Sequence, residues 1–311
     1  MDFLNWFLSV VLHIGTLLFL LIYLPLSLLW KMVAWVFVRA FRKEEDLKGK
    51  VVLITGASSG IGEKLAYEYA KRGASMALVA RRGKLLNTVA EAARGGGAPD
   101  VLVLPADISD ADESKRVVME TVAHFGRLDH LVANAGICSG SPFEQITDIT
   151  AFTKIMDVNF WGSIYPAYYA LPHLKASRGK IIVNTSMAAR IPVPNTSFYN
   201  ASKAALMRFY ETVRFEFGSE IQITILLPGY VESEMLKGKG LHNDGQVVLN
   251  KPGRYVEMGV PVGRAERLAK VVVDRACRGD KYVTWPSWYG PFHIVMSLAP
   301  EVVDFFHYLL G

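Results

Sequence analysis

The chain has 311 residues, of which 51% are hydrophobic and 20% charged; that is ample for a large buried core and excludes a disordered chain. Its net charge of +5 is spread along the sequence, apart from a small cluster at Arg39, Arg42 and Lys43, a distribution that gives no support to nucleic-acid binding. The two cysteines, Cys138 and Cys277, lie far apart without any partner motif, so neither a disulfide framework nor a metal site is expected, and a reducing compartment is the simplest setting.

From Phe3 to Trp30 there is no Asp, Glu, Lys or Arg. A helix of that length would measure roughly 42 Å at about 1.5 Å per residue, more than the roughly 30 Å of a bilayer's hydrocarbon core. The segment has neither the basic start nor the small-residue cleavage site of a secretory signal. It is also apolar on every side, unlike the helix of a soluble surface. Residues 1–46 are therefore expected to be a membrane or lipid anchor with a basic flank. Pro25 leaves two geometries open: a spanning helix over Phe3 to Leu24, or a hairpin that enters and leaves one face. Lys31, Arg39, Arg42 and Lys43 come after the segment, whereas only Asp2 and the terminal amine precede it. Either geometry places the rest of the chain on the cytosolic side.

After Lys50 the pattern becomes strand, glycine-rich turn, helix. Strands are expected at Val51–Thr55, Ser75–Ala80, Val101–Leu104, Leu128–Ala133, Lys180–Thr185, Ile221–Leu227 and Tyr282–Thr284. Helices are expected at Gly60–Arg72, Lys84–Arg94 and Asp110–Phe125, ended by Gly73, Gly95 and Gly126, with further helices between the later strands. Such alternation predicts an α/β fold: a doubly wound parallel sheet of the Rossmann type, over residues 47–285, covered on both faces. Residues 286–311 form an apolar C-terminal tail.

The first strand runs into Thr55-Gly56-Ala57-Ser58-Ser59-Gly60-Ile61-Gly62. Between a strand and a helix, glycines at 56, 60 and 62 allow a tight turn that brings backbone close to a pyrophosphate. The second strand ends in Ala80-Arg81-Arg82, with no carboxylate to accept from a ribose 2′-OH and two guanidinium groups suited to a 2′-phosphate. NADP(H) is therefore expected over NAD(H). Arg81, nearer the strand end, is the stronger candidate, with Arg82 turned towards solvent.

Five segments resemble the classical short-chain dehydrogenases, in that family's order and over about residues 48 to 285. They are Thr55 to Gly62, Asp107 after the third strand, Asn134-Ala135-Gly136 after the fourth, Tyr199-Asn200-Ala201-Ser202-Lys203, and Pro228-Gly229. The resemblance implies that Gly56, Ser58, Ser59, Gly60, Ile61 and Gly62 hold the cofactor together with Arg81, Arg82, Asp107, Asn134, Ala135, Gly136, Pro228, Gly229 and Ser233. Asp107 would meet the adenine amine, Asn134 would support the central strand, and Ser233 would bind the nicotinamide amide.

Tyr199 and Lys203 are four residues apart, on one face of a helix. An ammonium there favours the phenolate, so Tyr199 could exchange a proton near neutral pH although a free tyrosine titrates near 10. The resemblance adds Ser186 as hydrogen-bond donor to the substrate oxygen and Asn159 as holder of a water beside the lysine; both Tyr199 and Lys203 would also touch the cofactor. Together these residues imply hydride transfer between a nicotinamide and a carbonyl or alcohol, with no metal.

After Pro228, Met235, Leu236, Leu241, Val247 and Val248 lie where this fold forms a substrate lid. The tail carries Trp285, Trp288, Tyr289, Phe292, Met296, Phe305, Phe306 and Tyr308. It could line an apolar pocket, lie on a membrane or pack on the core. Over its whole length the sequence is most similar to the plant hydroxysteroid dehydrogenases related to the 11-beta type, including the oil-body steroleosins. The anchor and the segments Leu128 to Gly136, Val158 to Ser163 and Phe198 to Leu206 carry that similarity. It implies an apolar, sterol-like substrate at an endoplasmic-reticulum or lipid-droplet surface, with a homodimer as a candidate assembly. The same chemistry on a retinoid, terpenoid or keto-lipid remains open, as does a lipid-droplet coat protein with a vestigial site.

Overall fold

The computed structural model describes residues 2–41, 44–249, 259–299, 301, 302 and 305. Arg42 and Lys43 of the basic flank, and Phe306 and Tyr308 of the tail, lie outside the described residues. The chain separates into two compact units, Met1–Glu44 and Glu45–Gly311.

In the first unit, helix α1 (Asp2–Leu18) continues through a five-residue π turn (Phe19–Tyr23) into α2 (Leu24–Phe41). The π turn has a local cause. Pro25 has no N–H, and its ring would press on the carbonyl four residues back in a regular helix. Widening the preceding turn, so that the Leu24 N–H reaches Phe19 O, accommodates the ring without breaking the helix. The reversal that a hairpin would need at Pro25 is not present. Phe3–Val33 is long and apolar enough to cross a membrane, and none of its apolar window is buried among the described residues.

In the second unit, seven parallel strands form one sheet: β1 (Val51–Thr55), β2 (Ser75–Ala80), β3 (Val101–Pro105), β4 (His130–Ala133), β5 (Lys180–Asn184), β6 (Gln222–Pro228) and β9 (Tyr282–Trp285). Their order, β3-β2-β1-β4-β5-β6-β9, reverses direction between β1 and β4, the switch point of a doubly wound fold. The expected parallel sheet is thus present, with its strands within two residues of their predicted starts and ends. Alternation along β1 sends Val52 and Ile54 into one apolar layer and Val51 and Leu53 into the other. The first layer is completed by α3 (Gly60–Lys71), α4 (Gly83–Gly95) and α9 (Ala265–Cys277). The second is completed by α5 (Ala111–Phe125), α7 (Gly162–Ser177) and α8 (Ser197–Phe217). Helix α5 shows its sequence signals directly: Asp110 accepts from the Glu113 N–H at 2.9 Å, and Gly126 closes the helix at φ 75°.

A short antiparallel hairpin, β7 (Lys239–Leu241) with β8 (Val247–Leu249), was not expected as strand. It docks on the segment after β4, where the Leu241 N–H donates to Cys138 O at 2.8 Å. Leu241 is buried with Phe152 and Ile155, against Ile137, Ile146 and Phe198.

At the opposite edge, where the strands begin, Glu45 is a junction. Its carboxylate lies 2.7 Å from Lys180 Nζ, 3.2 Å from His130 Nε2 and 3.4 Å from Lys50 Nζ, and its N–H donates to Cys277 O. Burial opposes ionisation of this carboxyl, but the hydrogen bonds and charges of His130 and Lys180 outweigh it and hold the group well below its ordinary value. Its stabilising effect is therefore complete above about pH 4.5 and is lost as acidification protonates the carboxylate. Glu45→Ala leaves Lys180 buried with only the Ala276 and Cys277 carbonyls. Equilibrium unfolding at pH 7 should show a loss of about 3 kcal/mol, the lower end for a broken buried pair.

Candidate active site

Every residue singled out from the sequence for chemistry lies at or beyond the C-terminal ends of the parallel strands, the edge on which such sheets bind ligands. The glycine-rich turn links β1 to α3. A Cβ on Gly62 would stand 2.3 Å from Gly56 O and 2.5 Å from Asn134 Nδ2, so only glycine lets the first turn of α3 press backbone against backbone here. Ser59, at the N-cap, makes no capping bond. The first-turn N–H groups of a twelve-residue helix thus face a glycine-lined cradle, a fit for a pyrophosphate.

Asn134 ties the switch point together. Its amide donates to Thr55 O at 3.0 Å and Gly56 O at 3.3 Å, and its Oδ1 accepts from Asn184 Nδ2 at 2.9 Å. Thr55 Oγ1 accepts from the N–H groups of Asn134 and Ala135. Thus β1, β4 and β5 are cross-linked where they end. Asp107 Oδ1 accepts from the N–H and hydroxyl of Ser109, and its other oxygen lies 3.7 Å from Arg81 Nη1.

The two arginines behave differently from expectation. Arg81 is the more exposed, at 62%, with Asp107 as its partner. Arg82 does not point to solvent: Nη2 donates to Ser59 Oγ at 2.7 Å and Ser58 Oγ at 3.2 Å, and Nη1 to Glu234 Oε1 at 2.9 Å. Arg82, expected in solvent, instead lies on the glycine-rich turn, because strand-end proximity says nothing of where a long side chain finds acceptors.

Asn159 sits in a second π turn (Asp157–Trp161), between the short helix α6 (Thr153–Met156) and α7. Fully buried, it accepts from the Ile137 N–H at 2.8 Å and donates to Ile137 O and Ser202 Oγ, each at 2.9 Å. The side-chain amide therefore clamps the segment after β4 to α8. Ser202, which sequence reasoning passed over, in turn donates to Tyr199 O. Gly136 makes this packing fit: a Cβ there would lie 3.1 Å from Asn159 Oδ1 and 3.4 Å from Lys203 Nζ.

Lys203, 3% exposed, donates to Asn184 O at 2.9 Å. Burial pushes its ammonium down to about 8. Burial also pushes the Tyr199 phenol up, opposed by a hydrogen bond with Ser186. That is the reverse of the depression expected from the helical spacing alone. Lys203 Nζ is 5.9 Å from the Tyr199 ring centre and engaged by the Asn184 carbonyl, so desolvation outweighs the charge. Ser186 Oγ is itself oriented by the Ala188 N–H at 3.1 Å.

Pro228 ends β6 and the Gly229 N–H donates to Trp285 O at 2.7 Å. Ser233 Oγ accepts from the Leu236 N–H at 3.1 Å, and its Cβ stands 3.4 Å from where a Gly60 Cβ would be, so the segment after β6, the expected lid, meets the glycine-rich turn. The tail helix α10 (Tyr289–Leu298) brings the Tyr289 ring onto Gly229, and the Tyr230 N–H reaches the Tyr289 hydroxyl at 3.5 Å. At least this part of the tail packs on the core beside the site.

Residues 50–244 match the short chain dehydrogenase family. The chain is 48% identical over 305 residues to 11-beta-hydroxysteroid dehydrogenase 1A of Arabidopsis thaliana, covering 98% of this chain and 87% of that protein. Among solved structures, an alcohol dehydrogenase of the archaeon Thermococcus sibiricus, complexed with 5-hydroxy-NADP, is similar at a TM-score of 0.65 and 26% identity, covering 77% of this chain and 97% of that one. A short chain dehydrogenase/reductase of Burkholderia phymatum, in complex with NAD, is similar in fold at a TM-score of 0.73 and 20% identity, covering 83% of this chain and 96% of that one.

Proposed function

Because the chain belongs to the short chain dehydrogenase family, we propose that it is an NADP(H)-dependent hydroxysteroid or sterol dehydrogenase, interconverting a secondary alcohol and a ketone on an apolar substrate at a membrane or lipid-droplet surface. The convergence of Ser186, Tyr199 and Lys203 at the strand ends, beside the glycine-rich cradle, carries this reading.

The bound nicotinamide cofactor supplies or takes up the hydride. The protein's own part is proton handling and orientation. Ser186 O–H donates to the substrate oxygen and polarises it. Tyr199 passes a proton to that oxygen on reduction and withdraws it on oxidation. Its burial raises the phenol, so the adjacent Lys203 ammonium is needed to bring the phenolate within reach. Asn184 O and Asn159 keep Lys203 and the loop after β4 in position. Arg82, and Arg81 after a swing away from Asp107, are the cations available to a 2′-phosphate.

The steroid-like substrate rests on the plant relatives, which carry the name 11-beta-hydroxysteroid dehydrogenase. The uncovered apolar helix supports residence at the endoplasmic reticulum or a lipid droplet, and the basic residues after it support a cytosolic catalytic unit.

The test is turnover by the full-length, detergent-solubilised chain on a panel of steroid, retinoid, terpenoid and keto-lipid carbonyls with each cofactor. The expected result is steroid turnover with kcat/KM about tenfold or more higher for NADPH than for NADH, one charge-assisted contact's worth. Preference for NADH, or turnover confined to the other carbonyls, would overturn the cofactor or the substrate reading respectively.

A further inference from the structure

We propose that Glu234, at the start of the lid, is a cofactor-selectivity residue: its carboxylate competes with a nucleotide 2′-phosphate for Arg82. This inference rests on the proposed binding of a 2′-phosphorylated cofactor at the glycine-rich turn.

A guanidinium grips a phosphate through two N–H groups at once. In Arg82 the terminal nitrogens are already engaged. Nη2 bridges Ser58 and Ser59 of the turn, and Nη1 donates to Glu234 Oε1 at 2.9 Å. An end-on grip through Nη1 and Nη2 sets an incoming phosphate in competition with these partners. The serines are neutral and belong to the turn that would receive the nucleotide. Glu234 is anionic, and the hydrogen bond from Arg82 holds its carboxyl at about 2, so at neutral pH it is fully charged. A phosphate beside it is repelled, whereas a 2′-OH is not.

The carboxylate also has somewhere to go. Its second oxygen pairs with Lys239 Nζ at 2.8 Å, on the first strand of the lid hairpin. Glu234 lines a cleft of about 340 Å³ with Lys237, Lys239, Val247 and Val248. It can leave Arg82 and keep Lys239. The contact also crosses the place where the lid meets the turn, since Ser233, one residue earlier, packs against Gly60. Exchange of Glu234 for phosphate therefore loosens the lid from the turn as the cofactor seats.

The experiment is fluorescence titration of NADPH and NADH into the full-length, detergent-solubilised wild type, Glu234→Gln and Arg82→Ala. Glu234→Gln should tighten NADPH about fivefold, leave NADH within about twofold, and lose most of that difference at about 1 M salt, where the Debye length is about 3 Å. Arg82→Ala should weaken NADPH selectively. Weaker NADPH binding by Glu234→Gln would mean that the carboxylate braces Arg82 for the phosphate, and would overturn the proposal. An equal change in both cofactors would mean a merely structural role and would overturn it too. A wild type without preference for NADPH, and insensitive to Arg82→Ala, would instead overturn the cofactor reading on which the proposal stands.

Discussion

Tyr199→Phe is expected to lower kcat by about 10²–10⁴-fold, the range for loss of a general acid–base group, while the Kd for NADPH stays within about twofold of wild type. The substitution removes one oxygen and keeps the ring that α8 presents at the strand ends. What is lost is the proposed proton carrier, together with its hydrogen bond with Ser186. What remains is the lattice that holds the site: Lys203 on Asn184 O, and Asn159 on Ile137 and Ser202. None of those contacts uses the phenol oxygen. The measurement is steady-state kcat at saturating cofactor, with Kd from fluorescence titration of the same preparation. Turnover comparable to wild type would reject Tyr199 as the proton carrier.

Removing residues 1–43 is expected to move the protein from the membrane pellet to the soluble fraction, with the remaining unit folded. The whole apolar helix lies in the removed unit, and the sheet with its two apolar layers lies in the other. The cut must fall before Glu45. That residue belongs to the folded unit, where Lys180, His130 and Lys50 gather on its carboxylate. A truncation running through Glu45 should lose about 3 kcal/mol of stability, whereas one ending at Lys43 should keep the Tm of the full chain. Cell fractionation and thermal unfolding of both truncations check this. Recovery of the full-length chain in the soluble fraction would remove the case for an anchor, and flotation with oil bodies would place it on lipid droplets.

Much of the fold was legible because its signals are local. Val51–Thr55 reads as a buried strand from five consecutive residues, and Asp110 and Gly126 bracket a helix by capping chemistry that acts within a turn. Spacing alone puts Tyr199 and Lys203 on one helix face, but their candidate roles, and those of Ser186 and Asn159, were legible through the family resemblance. Features that depend on pairing distant segments were not. The β7–β8 hairpin consists of two three-residue strands, one containing Gly240, and is stabilised by the loop after β4 rather than by its own sequence. Arg82 finds its acceptor 152 positions along the chain in Glu234, and nothing near Ala80-Arg81-Arg82 signals that meeting. Nor does spacing reveal that burial dominates at Tyr199, because desolvation depends on everything packed around a group. The tail was open among three roles, and the contact of Tyr289 with Gly229 could come only from the folded chain.

The π turn at Asp157–Trp161 has a consequence for sequence change. A five-residue turn contains one residue more than the helix on either side would use, and each residue of an α-helix advances the faces by about 100°. The wider turn absorbs that added residue, so α6 and α7 both keep their buried faces on the core. The inward set on α7 is Ser163, Pro166, Ala167, Ala170 and Leu174, with Ser163 bonded to the buried Tyr210 hydroxyl, while Tyr168 is 66% exposed. Deleting Val158 would let the turn close to α-helical pitch with this set still facing the sheet, but would carry Asn159 off Ile137. Replacing Val158 by another residue would not. The constraint on this turn is on the number of residues rather than on most of their identities, and a single-codon deletion here should be far more damaging than a substitution at the same codon.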